Sequence, residues 1–326
     1  MGGWKPSRQR IATPYLLYTI TVLVFVGLVL IKPAFGPIDD CGFFTTVMRG
    51  VRIPFNIAPE IGRFFPLSGQ EYNLVALFST EPFWFYTVNA VELAIFSVVL
   101  LKLMGAATDK PALITGVAVL LFLSPAFTDS WFRLLVPERT SALLFGIFLV
   151  MYARAQRTRK AAPVALAVIS GTLALYYKEP GFLALGTFAT VHLAMTWKTS
   201  PRLLKLLDWL LLTGSAAFLL TYFIVVYSHR GEALYGADNI ASVLILPRTV
   251  FTYTMTDPAL ILGLLPLAAY RASLILLRRT QPHPLFDPML AAGTAYVLAY
   301  FVLRLRSPHY LRLRGEVGSR RLIMLC

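Results

Sequence analysis

Charge is scarce in this chain. Asp, Glu, Lys and Arg make up 14% of its 326 residues, hydrophobic residues make up 57%, and the mean hydropathy is +0.67. Soluble domains carry roughly a quarter of their residues as charges, so that class is excluded. Cysteine is nearly absent. Two residues, Cys41 and Cys326, cannot build a disulfide framework or a paired-cysteine metal site. The sequence also lacks N-x-Ser/Thr sequons, internal repeats, heptad runs, H-E-x-x-H, a P-loop, G-x-G-x-x-G and D-x-D. Zinc proteases, P-loop ATPases and soluble nucleotide-sugar enzymes are disfavoured accordingly. Acidic residues are the rarer sign, 16 against 30 basic ones, for a net charge of +14. The basic residues cluster at the ends of apolar runs, where anionic lipid headgroups lie, so nucleic acid is not the partner.

What the chain does have is apolar runs of membrane-crossing length. At about 20 residues per crossing, spans fall near residues 13–35, 83–105, 111–128, 138–154, 161–177, 181–197, 208–228, 258–277 and 287–304. The expected fold is all-α, a polytopic transmembrane helix bundle of about nine spans, with eight and ten as the limits. The first run is too long for a signal-peptide core and reads as a retained span. Residues 241–255, interrupted by Pro247 and Arg248, read as an interfacial or re-entrant helix. A cytoplasmic N-terminus puts half of the lysines and arginines inside, in short loops, and most acidic residues outside. Nine spans would leave the basic tail, residues 307–326, on the disfavoured side. Either one crossing is miscounted, or the sequence after Ser307 is a non-native or truncated end of the transmembrane domain 1–306.

The polar loop Gly36–Tyr72 organises the rest. It holds the adjacent pair Asp39 and Asp40 together with Arg49, Arg52 and Arg63. Phe44, Val47, Met48 and Val51 share helical spacing, which predicts an amphipathic helix lying along the outer surface with Arg49 and Arg52 on its polar side. Two readings of the aspartates stand side by side: a helix cap beside a solvated neighbour, or a general base at the water–lipid boundary. Asp129–Thr140 (DSWFRLLVPERT) is a second outer cluster. Pro137 and Glu138 suit a helix start, whereas Arg133 and Arg139 could hold a phosphate or could snorkel. Tyr176–Phe182 (YYKEPGF) is a short outer hairpin that keeps Lys178 and Glu179 at the interface, as an ion pair or as a phosphate site. Glu92 lies well inside an apolar run, a costly place for a carboxylate that points to function, or to a hydrogen bond within the bundle since Asn89 is three residues away. His229 and His309 read as structural or solvated.

A first span, a long outer loop opening IDDCGFF and containing GRFFPL, then many spans joined by short outer hairpins such as VPERT and YKEPGF, resembles the GT-C class of integral-membrane glycosyltransferases. The resemblance is architectural and covers roughly residues 11–300. It implies a hexosyl- or pentosyltransferase using a polyprenyl-phosphate sugar as donor and a glycan or lipid as acceptor, in a cell envelope. It also implies Asp39 or Asp40 as base or metal-contacting acid, with Mg or Mn as the divalent cation if there is one. The donor phosphate would fall to Arg49, Arg52, Arg63, Arg133, Arg139 or Lys178, with Glu179 beside it. The chain departs from that class in being short. The expected location is a bacterial inner membrane, favoured by the lack of sequons and disulfides. The competing expectation is a multi-span transporter or flippase of a lipid-linked or amphipathic substrate, which should have polar or broken helices near the midplane.

Overall fold

Hydrocarbon offers no hydrogen bonds, so a run that enters it must satisfy its backbone internally, and helix is the local solution. The structure, a computed structural model, describes residues 8–31, 33–35, 46–47, 49–229, 251, 254–255 and 259–304. Asp39, Asp40, Cys41, most of residues 241–255 and the tail lie outside the described residues. The chain divides into two compact units, one of Met1–Pro54 with Ser68–Val150, the other of Phe55–Leu67 with Met151–Cys326.

The first unit begins with α1 (Arg8–Ile31) and continues through α2 (Gln70–Val75), α3 (Pro82–Ala107), α4 (Pro111–Phe122), α5 (Pro125–Phe132) and the start of α6 (Pro137–Thr158). Each helix from α3 to α6 opens on proline, whose missing N–H costs nothing in a first turn. The run read as one crossing over 111–128 is two helices bent by 65°. The reason lies in the Ser124–Pro125 step: the Ser124 side chain caps the Phe127 amide, and proline restarts the helix in a new direction. Buried aromatics, among them Tyr72, Phe85, Phe122 and Trp131, fill the core. Helices α3 and α6 approach closely at Gly146, where a Cβ would lie 2.8 Å from Val99 Cγ1.

The helix predicted over 44–51 stops short. Gly50 has φ +65°, its amide bonds to the Val47 carbonyl, and the Val51 amide bonds back to the Thr46 carbonyl. This pair of bonds closes a helix C-terminus, so Val51 leaves the apolar face and is exposed while Val47 is buried.

The second unit holds a two-stranded hairpin, β1 (Asn56–Ala58) with β2 (Arg63–Phe65). It continues with the end of α6, then α7 (Ala161–Tyr177), α8 (Gly181–Thr196), α9 (Arg202–Val225), α10 (Leu265–Leu276) and α11 (Phe286–Arg304). Helix α8 packs against α9 and α11.

Among the described residues three helices, α1, α3 and α9, are long and apolar enough to cross a membrane, or four spans result if the bent pair α4–α5 is one crossing. Helices α7 and α8, at 17 and 16 residues, are shorter, and α6 carries Glu138, Arg139, Arg154 and Arg157. The outward faces are apolar. Leu16 and Leu23 on α1 are 60% and 63% exposed, a surface that suits lipid rather than water.

Candidate functional site

In the second unit, strand β2 is fastened to the α7–α8 turn. The Phe64 amide donates to Glu179 Oε1 at 3.0 Å, and the Leu67 amide donates to the Tyr176 carbonyl at 3.1 Å. From α9, the Tyr222 hydroxyl donates to the Gly62 carbonyl at 3.1 Å. Phe64 is buried against the rings of Tyr176 and Phe218. Glycine at 62 is required by the turn, where φ is +76°.

This fastening sets two cations on one ring. The Arg63 guanidinium lies 5.8 Å from the Phe65 centroid, and the Lys178 ammonium lies 5.7 Å from it. They come from segments more than a hundred residues apart. Glu179 faces the backbone of β2, so its carboxylate positions the strand. Glu179→Gln, which keeps an acceptor, is expected to be mild. Glu179→Ala leaves the Phe64 amide unpaired and should cost about 1–3 kcal/mol, read as faster amide exchange over residues 63–67.

Beside this cluster, an apolar groove of about 380 Å³ runs along α8 and α9 from Phe182 past Gly186 and Ser215 to Leu219. The Ser215 hydroxyl on its wall is buried without a hydrogen-bond partner.

The other predicted residues belong to the first unit. Arg49 and Arg52 are exposed at the turn after Val47. Arg133 pairs with Asp129 at 3.0 Å, both partly exposed on α5 and its C-terminal end, an arrangement worth little. Arg139 is 1% exposed and neither snorkels nor faces the outer surface. Its Nε donates to Glu92 Oε2 at 2.5 Å and its Nη2 to Glu71 Oε1 at 3.1 Å, while the Thr140 hydroxyl donates to Glu92. Asn89 is not the partner of Glu92. It accepts from the Tyr72 hydroxyl at 2.6 Å and donates to the Trp131 and Arg133 carbonyls. Burial pushes the Tyr72 phenol above its ordinary range, which keeps it a neutral donor. The Asn89 contacts hold a strained turn, for Leu135 sits at φ +52°.

A further buried cluster in the second unit has no counterpart in the sequence reading. Tyr152, His192 and Asp208 lie within 2.6–2.8 Å of one another, and Gln156 stands beside His192. A histidine inside the apolar run 181–197, followed by an aspartate at the head of the next run, is the signal that could have found it. Among the described residues no three His, Cys, Asp or Glu side chains come together as metal ligands.

No family model matches the chain, and no curated protein or solved structure matches it significantly. The site therefore has to be read from its own chemistry. Two cations on an aromatic ring beside an apolar groove suit an amphiphile with an anionic head.

Proposed function

We propose that the chain is an integral-membrane glycosyltransferase that moves a sugar from a polyprenyl-phosphate donor to an acceptor hydroxyl on the extracytoplasmic side. The observation that carries this reading is the convergence of Arg63 and Lys178 on Phe65, next to the groove that starts at Phe182. The cations take the phosphate, and the groove takes the first prenyl units.

The topology that goes with it has about nine crossings and a cytoplasmic N-terminus, with the α7–α8 turn and the first loop outside. In the transfer the acceptor hydroxyl loses its proton to a general base, its oxygen attacks the anomeric carbon, and the lipid phosphate departs as an anion; Asp39 and Asp40 are the acidic candidates for that base. Arg63 and Lys178 stabilise the charge that develops on the leaving oxygen. No nucleotide is consumed, which suits a site outside the cytoplasm.

The test is transfer of radiolabelled sugar in membranes loaded with polyprenyl-phosphate sugars. The wild-type chain is compared with the Asp39→Asn, Asp40→Asn double variant at matched expression. Transfer that is lost in the variant supports the reading; equal transfer in both removes the aspartates from the chemistry. A second reading, a proton-coupled transporter or flippase, draws on the buried pairs Arg139–Glu92 and His192–Asp208. It predicts movement of labelled lipid-linked sugar across vesicles with no new glycosidic bond.

A further inference from the structure

Ser215 is 6% exposed, and its hydroxyl has no hydrogen-bond partner among the described residues. The other buried helix serines close on their own backbone: Ser97 donates to the Leu93 carbonyl and Ser170 to the Leu166 carbonyl, each at 2.7 Å. Thr190, on the groove wall, likewise donates to the Gly186 carbonyl at 2.8 Å. The Ser215 oxygen instead faces α8, where Gly186 has no side chain; a Cβ there would stand 3.7 Å from it. Both residues line the apolar groove. A buried donor left unmet is costly, so the group that fills the groove should offer an acceptor at this height.

We propose that the groove and the two cations at its mouth bind an ester-linked anionic glycerophospholipid, with its phosphate at Arg63 and Lys178 and one ester carbonyl accepting from Ser215. The site shares its phosphate seat with the proposed transfer reading and rests on that reading for the seat alone.

The choice of lipid follows from the acceptor. A prenyl or alkyl tail has none, and a neighbouring membrane helix has its carbonyls bonded within itself. A diacyl lipid carries carbonyls at the inner edge of its polar layer, which is about 5–8 Å thick in each leaflet. The groove has a matching spacing. Phe182, at its mouth, follows Lys178 by four residues across the turn, and Gly186 lies one turn of helix further in, about 6 Å along the axis.

Phe218 ties the mouth to the hairpin, its ring 6.2 Å from that of Phe182 and 5.6 Å from that of Phe64. Two basic side chains at the mouth favour a net negative head over a zwitterion. Entry is from the side. Leu219 on the groove wall is 41% exposed and belongs to a helix long and apolar enough to cross a membrane, so a lipid reaches the groove without leaving the bilayer. The phospholipid thereby satisfies a hydroxyl that a polyprenyl donor leaves unmet.

The experiment titrates the full chain in detergent micelles with dioctanoyl phosphatidylglycerol and with the corresponding dioctyl diether, which has the same head but no carbonyl oxygens. The wild type should bind the ester about two- to tenfold more tightly than the ether, the worth of one hydrogen bond. Ser215→Ala deletes an unmet donor, so it should fold as the wild type does; it should bind the ester no better than the ether and leave ether binding unchanged. Arg63→Gln with Lys178→Gln should weaken both lipids and keep their ratio. Equal affinities in the wild type, or a preference for the ester that survives in Ser215→Ala, overturn the carbonyl contact. Undiminished binding in the double glutamine variant overturns the phosphate placement. These titrations contain no sugar donor, so failure of this site and failure of the transfer reading are seen in separate assays.

Discussion

Arg139→Leu is expected to lose about 3–5 kcal/mol of stability, the cost of breaking a buried ion pair from one side. The guanidinium serves two carboxylates at once, with Nε on Glu92 and Nη2 on Glu71. Glu92 is 9% exposed and, among the described residues, has the Thr140 hydroxyl besides. Removing Arg139 leaves that carboxylate without its counter-charge at a site little exposed to solvent. Glu71, with 17% of its side chain exposed, is better placed to rehydrate. The double variant Arg139→Leu, Glu92→Leu should therefore recover most of the loss, because a buried pair replaced by apolar residues of similar size is often neutral or stabilising. Denaturant titration in detergent micelles checks both. A single variant as stable as wild type would mean that Arg139 is not the counter-charge of Glu92.

The second large effect concerns binding rather than folding. Arg63→Gln with Lys178→Gln removes both cations from the Phe65 ring while leaving the Phe64 amide on Glu179. A hydrogen bond to a charged group contributes about 1.5–3 kcal/mol. Each cation that contacts a donor phosphate is then worth roughly ten- to a hundredfold in affinity, at about 1.4 kcal/mol per factor of ten. The double variant should lose most affinity for a short-chain polyprenyl monophosphate, measured by titration of the detergent-solubilised chain. Arg49→Gln with Arg52→Gln, at an exposed turn of the other unit, should change it far less. Equal losses in the two double variants would indicate a diffuse electrostatic attraction, and no loss in the first would move the phosphate elsewhere.

Helix positions were the most legible part of the fold. The ranges 161–177 and 181–197 meet α7 and α8 almost residue for residue, because Lys160, Lys178, Pro180 and Gly181 punctuate the apolar text. The bend at Ser124–Pro125 was legible too. Length arithmetic hides it, since 111–128 is long enough for one crossing. The hairpin was not legible. Its strands are three residues each, too short to display a period of two, and the bonds that hold it reach distant segments. Of the candidate site, Arg63 and Lys178 stand out in the sequence only as basic residues in polar loops. Nothing in their spacing linked them, because the link is a ring and a backbone bond formed in three dimensions. The burial of Arg139 is illegible for a related reason: it stands at a helix start beside Glu138, a surface-like setting, and its partner is 47 residues upstream. The lone acid at Glu92 was the better clue, since a carboxylate inside an apolar run implies a counter-charge.

The fastening of the hairpin has a consequence for how the chain is made. Phe64 bonds to Glu179, 115 residues later, and Gly62 to Tyr222, 160 residues later. Ribosomes add about 5–20 residues per second, so the hairpin waits roughly 8 to 30 seconds for its last partner to be synthesised. During that interval Phe64 and Phe65 have no ring stack to enter, and an unpaired two-stranded ribbon is marginal in water. Nascent chains halted before α7 should hold the 55–67 segment open to protease, and chains extended past α9 should protect it. Assembly of the proposed phosphate site is then one of the later events in biogenesis, although half of its residues are among the first to emerge.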